Sequence, residues 1–77
     1  MTKATDRLAG IFAREIVANE GFARELAEIS EILRQDGHHA SADGMLHLSR
    51  HHLIRGMEGR GNLSALREDI PHEAGDA

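Results

Sequence analysis

The stretch LAGIFAREIVANEGFARELAEISEIL, residues 8–33, decides the fold because its apolar residues recur at the 4–3 spacing of a heptad. Most of the positions in this seam carry large apolar side chains. The seam consists of Leu8, Phe12, Glu15, Asn19, Phe22, Leu26, Ile29 and Leu33. The spacing therefore predicts one long amphipathic helix over residues 5–35.

The positions that flank this seam indicate what kind of assembly the helix enters. In a two-stranded coiled coil they are mostly charged, whereas here Glu25 alone is charged. The flanking residues are Ala9, Ile16, Ala23 and Ser30 on one side, and Ile11, Ala18, Glu25 and Ile32 on the other. An apolar stripe this wide predicts that the helix packs against more than one neighbour, as in a helical bundle.

Gly21 leaves two interpretations of this helix open. The segment ANEGF could form a turn that breaks the helix, but the heptad phase continues unshifted across Gly21, which favours continuity. Thr5 or Asp6 is predicted to cap the start, and Asp36-Gly37 to end the helix.

A polar loop over residues 36–41 precedes a second helical pattern over residues 42–57, with Ser41 as the predicted N-cap. Small residues recur on this helix at a spacing of seven, which lets two helix backbones approach closely. They are Ala42, Ser49 and Gly56. The pattern predicts an antiparallel helical hairpin with its small-residue seam on the second helix.

Gly59 and Gly61 are predicted to end the second helix, and a short helical turn is predicted over residues 63–69. The acidic segment 71–77 is predicted to be disordered. The chain would then form a single all-α domain over residues 1–70.

Composition makes this domain a marginal one on its own. The chain has 77 residues and no cysteine, and its aromatic side chains are two phenylalanines. Disulfides are therefore excluded, and a core this small needs a second chain or a metal ion. A long helix of about 45 Å beside a second of about 24 Å would leave apolar surface around Leu8 and Phe12 uncovered.

A twofold-symmetric homodimer that forms a four-helix bundle covers this surface most simply. The plan is similar, in architecture only, to the antiparallel hairpin dimers of small bacterial regulators. No apolar run reaches membrane-spanning length and the N-terminus lacks a secretory pattern, so we expect a cytoplasmic protein without membrane contact.

The cluster HLSRHHLIR, residues 47–55, is the part of the chain that most resembles a binding site. Helical phase places most of it away from the small-residue seam, with His52 at the edge of that seam. An ordinary solvated helix face accounts for it most simply. Docking to nucleic acid or to another acidic partner is the first alternative. That face would consist of His47, Arg50, His51 and Arg55.

A divalent metal ion is the second alternative for this cluster. His47 and His51 are four residues apart, the spacing at which two imidazoles on one helix face share an ion. A third ligand would have to come from His38, His39 or a symmetry-related chain. No HExxH or ExxH motif accompanies them.

Glu15 and Asn19 are polar residues one turn apart in the predicted seam. A buried asparagine fixes the register and the number of partners in a bundle, and a carboxylate beside it needs a partner of its own. The alternative is a ligand or metal pocket in the bundle core.

The sequence shows no phosphate-binding loop and no nucleophile motif. We therefore expect a non-enzymatic interaction or regulatory module that acts as a homo-oligomer and binds an unidentified protein. A nucleic-acid-binding hairpin dimer and a histidine/carboxylate metal-binding bundle are the alternatives. No cofactor is expected, although a divalent metal ion is possible.

Overall fold

A computed structural model describes residues 2–69, which form two helices that pack against each other as an antiparallel hairpin. Helix α1 spans Lys3–Gln35 and helix α2 spans His39–Asp69. The predicted all-α hairpin is thus confirmed. The predicted disordered segment, 71–77, lies outside the described residues.

Helix α1 runs without a break through Gly21, as the unshifted heptad phase indicated. It begins earlier than predicted, because Thr2 rather than Thr5 or Asp6 is the N-cap. The hydroxyl of Thr2 accepts a hydrogen bond from the Thr5 amide at 3.1 Å, and the Thr5 hydroxyl accepts one from the Thr2 amide at 3.0 Å. These reciprocal bonds satisfy two amides at the helix start.

The turn between the helices is shorter than the predicted loop and comprises residues 36–38. Gly37 has a φ of 86°, the left-handed conformation that glycine adopts without strain, and its amide donates to the Arg34 carbonyl. Since the chain re-enters a helix at His39, Ser41 lies inside the first turn and is not the N-cap.

Helix α2 is also longer than predicted, because Gly59 and Gly61 lie within it and no separate helical turn follows. Gly59 packs against Ile16 so closely that a Cβ atom there would lie 3.0 Å from Ile16 Cγ1. This glycine is a contact point between the helices, and the contact offsets its low helix propensity. Gly61 has open space around it, and nothing in the structure explains it.

The two helices are therefore of similar length, 33 and 31 residues, and the predicted length mismatch is wrong. Their shared core is thin and consists mostly of small residues. Among the described residues, the buried apolar side chains are Ile16, Ala23 and Ala42. Ser30, Ser49, Gly56 and Gly59 are buried with them.

Candidate interaction surfaces

Small residues bring the two helix backbones close enough for side chains to bond directly to the opposite backbone. Ser49 Oγ donates to the Ala23 carbonyl at 2.6 Å, and Ser30 Oγ donates to the Ala42 carbonyl at 2.7 Å. Each bond joins a serine on one helix to an alanine on the other. The predicted small-residue seam, Ala42, Ser49 and Gly56, therefore lies at the helix–helix contact.

A polar pair lies farther along the same seam. Asn19 Nδ2 donates to the Glu15 carbonyl at 2.9 Å, which directs Asn19 Oδ1 toward Nδ1 of His52. The 2.9 Å contact between them is a hydrogen bond in which the histidine nitrogen donates, because the amide oxygen can only accept. The Phe22 ring lies against His52, with 5.4 Å between ring centroids.

The predicted α1 seam is divided by this packing. Half of its residues are partly buried between the helices, namely Phe12, Asn19, Leu26 and Leu33. The other half, Leu8, Glu15, Phe22 and Ile29, is exposed. The close contact with α2 is centred instead on Ile16, Ala23 and Ser30, which the heptad pattern had placed beside the seam. Glu15 faces solvent and is not a buried carboxylate in the hairpin.

The hairpin has two broad faces on opposite sides of the plane that contains both helices. Residues two apart are about 200° apart around a helix, so Phe22 lies on one face and Glu20 on the other. We call them the Phe22 face and the Glu20 face. On the Glu20 face, Arg60 makes two hydrogen bonds to the Glu20 carboxylate, at 2.8 and 2.9 Å. Arg34 pairs with Asp43 at 2.9 Å. A shallow groove of about 370 Å³ on this face is lined by Glu20, Ala23, Arg24, Ser49 and Leu53.

The Phe22 face is apolar along α1. We call its exposed side chains the α1 strip; these are five large apolar residues that are 40% to 57% exposed, together with two glutamates and an alanine. The α1 strip consists of Leu8, Ile11, Glu15, Ala18, Phe22, Glu25, Ile29 and Ile32. It lies about 100° to 150° around the helix from the contact with α2, so α2 leaves it uncovered despite being of similar length.

The predicted histidine and arginine face is exposed at all four of its residues, His47, Arg50, His51 and Arg55. Helical geometry spreads them widely around α2: Arg50 and Arg55, five residues apart, lie about 140° from each other. All four nevertheless lie on the half of α2 that points away from α1, with the two arginines at its edges. Nucleic-acid contact through these residues stays a prediction.

Metal binding also stays a prediction. His47 and His51 lie one turn apart on the exposed side of α2. Within residues 2–69, no group of three or more histidine, aspartate or glutamate side chains is placed to hold an ion. The imidazole next to His51 is that of His52, with ring centroids 5.6 Å apart, and His52 is already bonded to Asn19.

Comparisons with known proteins identify no relative of this chain. No family model matches it, nor does any curated protein or solved structure. Neither helix of the described part has an apolar segment capable of crossing a lipid bilayer.

Proposed function

We propose that the protein is a non-enzymatic helical interaction module that acts as a homodimer, with the four helices of two hairpins forming one bundle. The α1 strip carries this proposal, because its five large apolar residues have no cover within the described hairpin. The strip would form the dimer interface, and the remaining surface would be available to a protein partner.

The thin core of the hairpin supports association with a second chain. Among residues 2–69 no large side chain is fully buried, and the contact between the helices is made mainly by alanine, serine and glycine, with Ile16 among them. A chain of this size gains little stability from such a core, and small domains usually need reinforcement from disulfides, metals or oligomerisation. Since the chain has no cysteine, oligomerisation is the reinforcement most consistent with its surface.

The area of the Phe22 face fits a stable dimer. Two helices of this length present a face of about 45 by 20 Å, or roughly 900 Å². Specific protein–protein interfaces bury about 800 Å² on each partner. Large exposed apolar patches on small proteins typically mark interaction sites.

Sedimentation equilibrium of the full chain tests the proposal. We expect a mass of twice 8.4 kDa, about 17 kDa, at micromolar concentration. Ile29→Lys places a charge in the α1 strip and should give a monomer. Val17→Lys is the matched control, because Val17 is 72% exposed and lies outside the strip. An unmodified chain that stays at about 8 kDa over a hundredfold range of concentration would contradict the proposal.

A further inference from the structure

The geometry points to one orientation of that homodimer, an inference that rests on the proposed function. Helix α1 of one copy lies antiparallel on α1 of the second copy, with the twofold axis near residue 20. The two turns, residues 36–38, then lie at opposite ends of the bundle.

The α1 strip is self-complementary under this arrangement. A twofold axis at residue 20 places residue i of one copy beside residue 40 − i of the other. Leu8 then faces Ile32 of the second copy, and Ile11 faces Ile29. Near the axis, Phe22 faces Ala18, so a large ring meets a small side chain. Every large apolar residue of the strip thereby gains an apolar neighbour.

Helix α2 adds one polar pair to the same arrangement. Gly56 lies alongside Asn19 and Glu20, so an axis at residue 20 passes α2 within a turn of Gly56. On the Phe22 face of α2, this position lies between His51 and Glu58, which are both exposed. The same axis therefore places the His51 imidazole of one copy near the Glu58 carboxylate of the other.

The opposite orientation, with both turns at the same end, covers the strip less well. It would lay α1 on α2 of the second copy, where the residues of the Phe22 face are mostly small or polar. These are Gly44, Leu48, His51, Arg55, Glu58, Asn62 and Ala65. Ile11 and Ile29 would face none of the large apolar groups except Leu48. Because apolar burial dominates association, the antiparallel α1 contact is favoured.

The favoured orientation also brings like charges together on both helices. Glu15 of one copy faces Glu25 of the other, and symmetry creates this contact twice. On α2 the same axis passes beside Arg55, so Arg55 of one copy faces Arg55 of the other, a further like-charge contact. Removing one carboxylate should therefore tighten the dimer rather than weaken it.

Distances between spin labels test the orientation directly, since the chain has no native cysteine. Gln35→Cys labels the end of α1, fifteen residues from the axis, so we expect about 45 Å between the two labels. Gly21→Cys labels the centre, where a Cβ has open space, and should give about 20–30 Å. A dimer in which the Gln35→Cys labels are also 20–30 Å apart would overturn the orientation but not the dimer. Monomeric protein with no dipolar coupling would overturn both.

Glu25→Gln provides a second test on the same face. We expect the dissociation constant to fall roughly three- to tenfold, because two like-charged contacts are relieved. Glu28→Gln is the matched control, being exposed on α1 outside the strip, and should leave the constant unchanged. A Glu25→Gln dimer that dissociates more readily than the unmodified protein would contradict the antiparallel contact.

Discussion

Asn19 Oδ1 and His52 Nδ1 are joined by a 2.9 Å hydrogen bond across the hairpin, so the two polar side chains of the seam pair with each other. The pair favours the observed register of the helices. A slide of α2 by one heptad would place Asn19 opposite Met45 or Gly59, and a half-buried amide would lose its partner. The bond lies within one chain, and the predicted role of Asn19 in fixing register and the number of partners stays a prediction.

A double-mutant cycle should measure this pair. We expect Asn19→Ala and His52→Ala to lower the free energy of unfolding by about 1–2 kcal/mol each, with a coupling of about 1 kcal/mol between them. Urea unfolding followed by circular dichroism at a fixed protein concentration provides the values. His51→Ala is the control, since His51 is exposed. Strictly additive losses would show that the bond contributes nothing.

Ser49 should be sensitive to size as well as to hydrogen bonding. Ser49→Ala removes the bond to the Ala23 carbonyl and should cost about 1 kcal/mol of unfolding free energy. Ser49→Val adds volume at the close helix contact and should cost about 1–3 kcal/mol more. Ser64→Ala, at an exposed position of α2, should change stability by less than about 0.5 kcal/mol. Equal effects of the three changes would rule out a close contact at Ser49.

Gly59 and Gly61 should respond oppositely to alanine. Gly61→Ala meets open space and should stabilise the protein by about 0.5–1 kcal/mol through helix propensity. Gly59→Ala gains the same propensity but brings a Cβ to 3.0 Å from Ile16, so it should destabilise by about 1 kcal/mol net. Thermal unfolding of both variants gives the comparison. A Gly59→Ala protein as stable as Gly61→Ala would mean that Gly59 and Ile16 are farther apart than the structure shows.

The ion pair between Glu20 and Arg60 should contribute little, despite its two hydrogen bonds. Both side chains are partly exposed, at 34% and 61%, and such pairs are screened by water and salt. We expect Arg60→Ala to lower the unfolding free energy by less than about 1 kcal/mol at low salt, and by still less at 1 M NaCl. Urea unfolding at the two salt concentrations gives the comparison. A loss of unfolding free energy above about 2 kcal/mol at high salt would contradict this prediction.

Much of the hairpin could be predicted because its signals are local. The heptad phase across Gly21 indicated a continuous α1, and the spacing of Ala42, Ser49 and Gly56 indicated where a backbone would approach. The prediction that Gly59 ends the second helix is wrong. A glycine that stops a helix and one that admits a neighbouring helix look alike until Ile16 is placed beside it.

The sequence by itself determined a hairpin of two helices, an amphipathic first helix that ends at Asp36-Gly37, and a contact built largely from small residues. Tertiary structure alone decided which third of the wide α1 stripe faces α2 and which remains open. The reason is physical. Periodicity shows that one side of α1 is apolar, but it does not show which part of that side contacts the second helix. Close approach requires a small residue on at least one helix at each contact. That condition is met by Ala23 opposite Ser49 and by Ser30 opposite Ala42, and Gly59 meets it opposite the larger Ile16. Phe22 and Ile29 were thereby left on the surface.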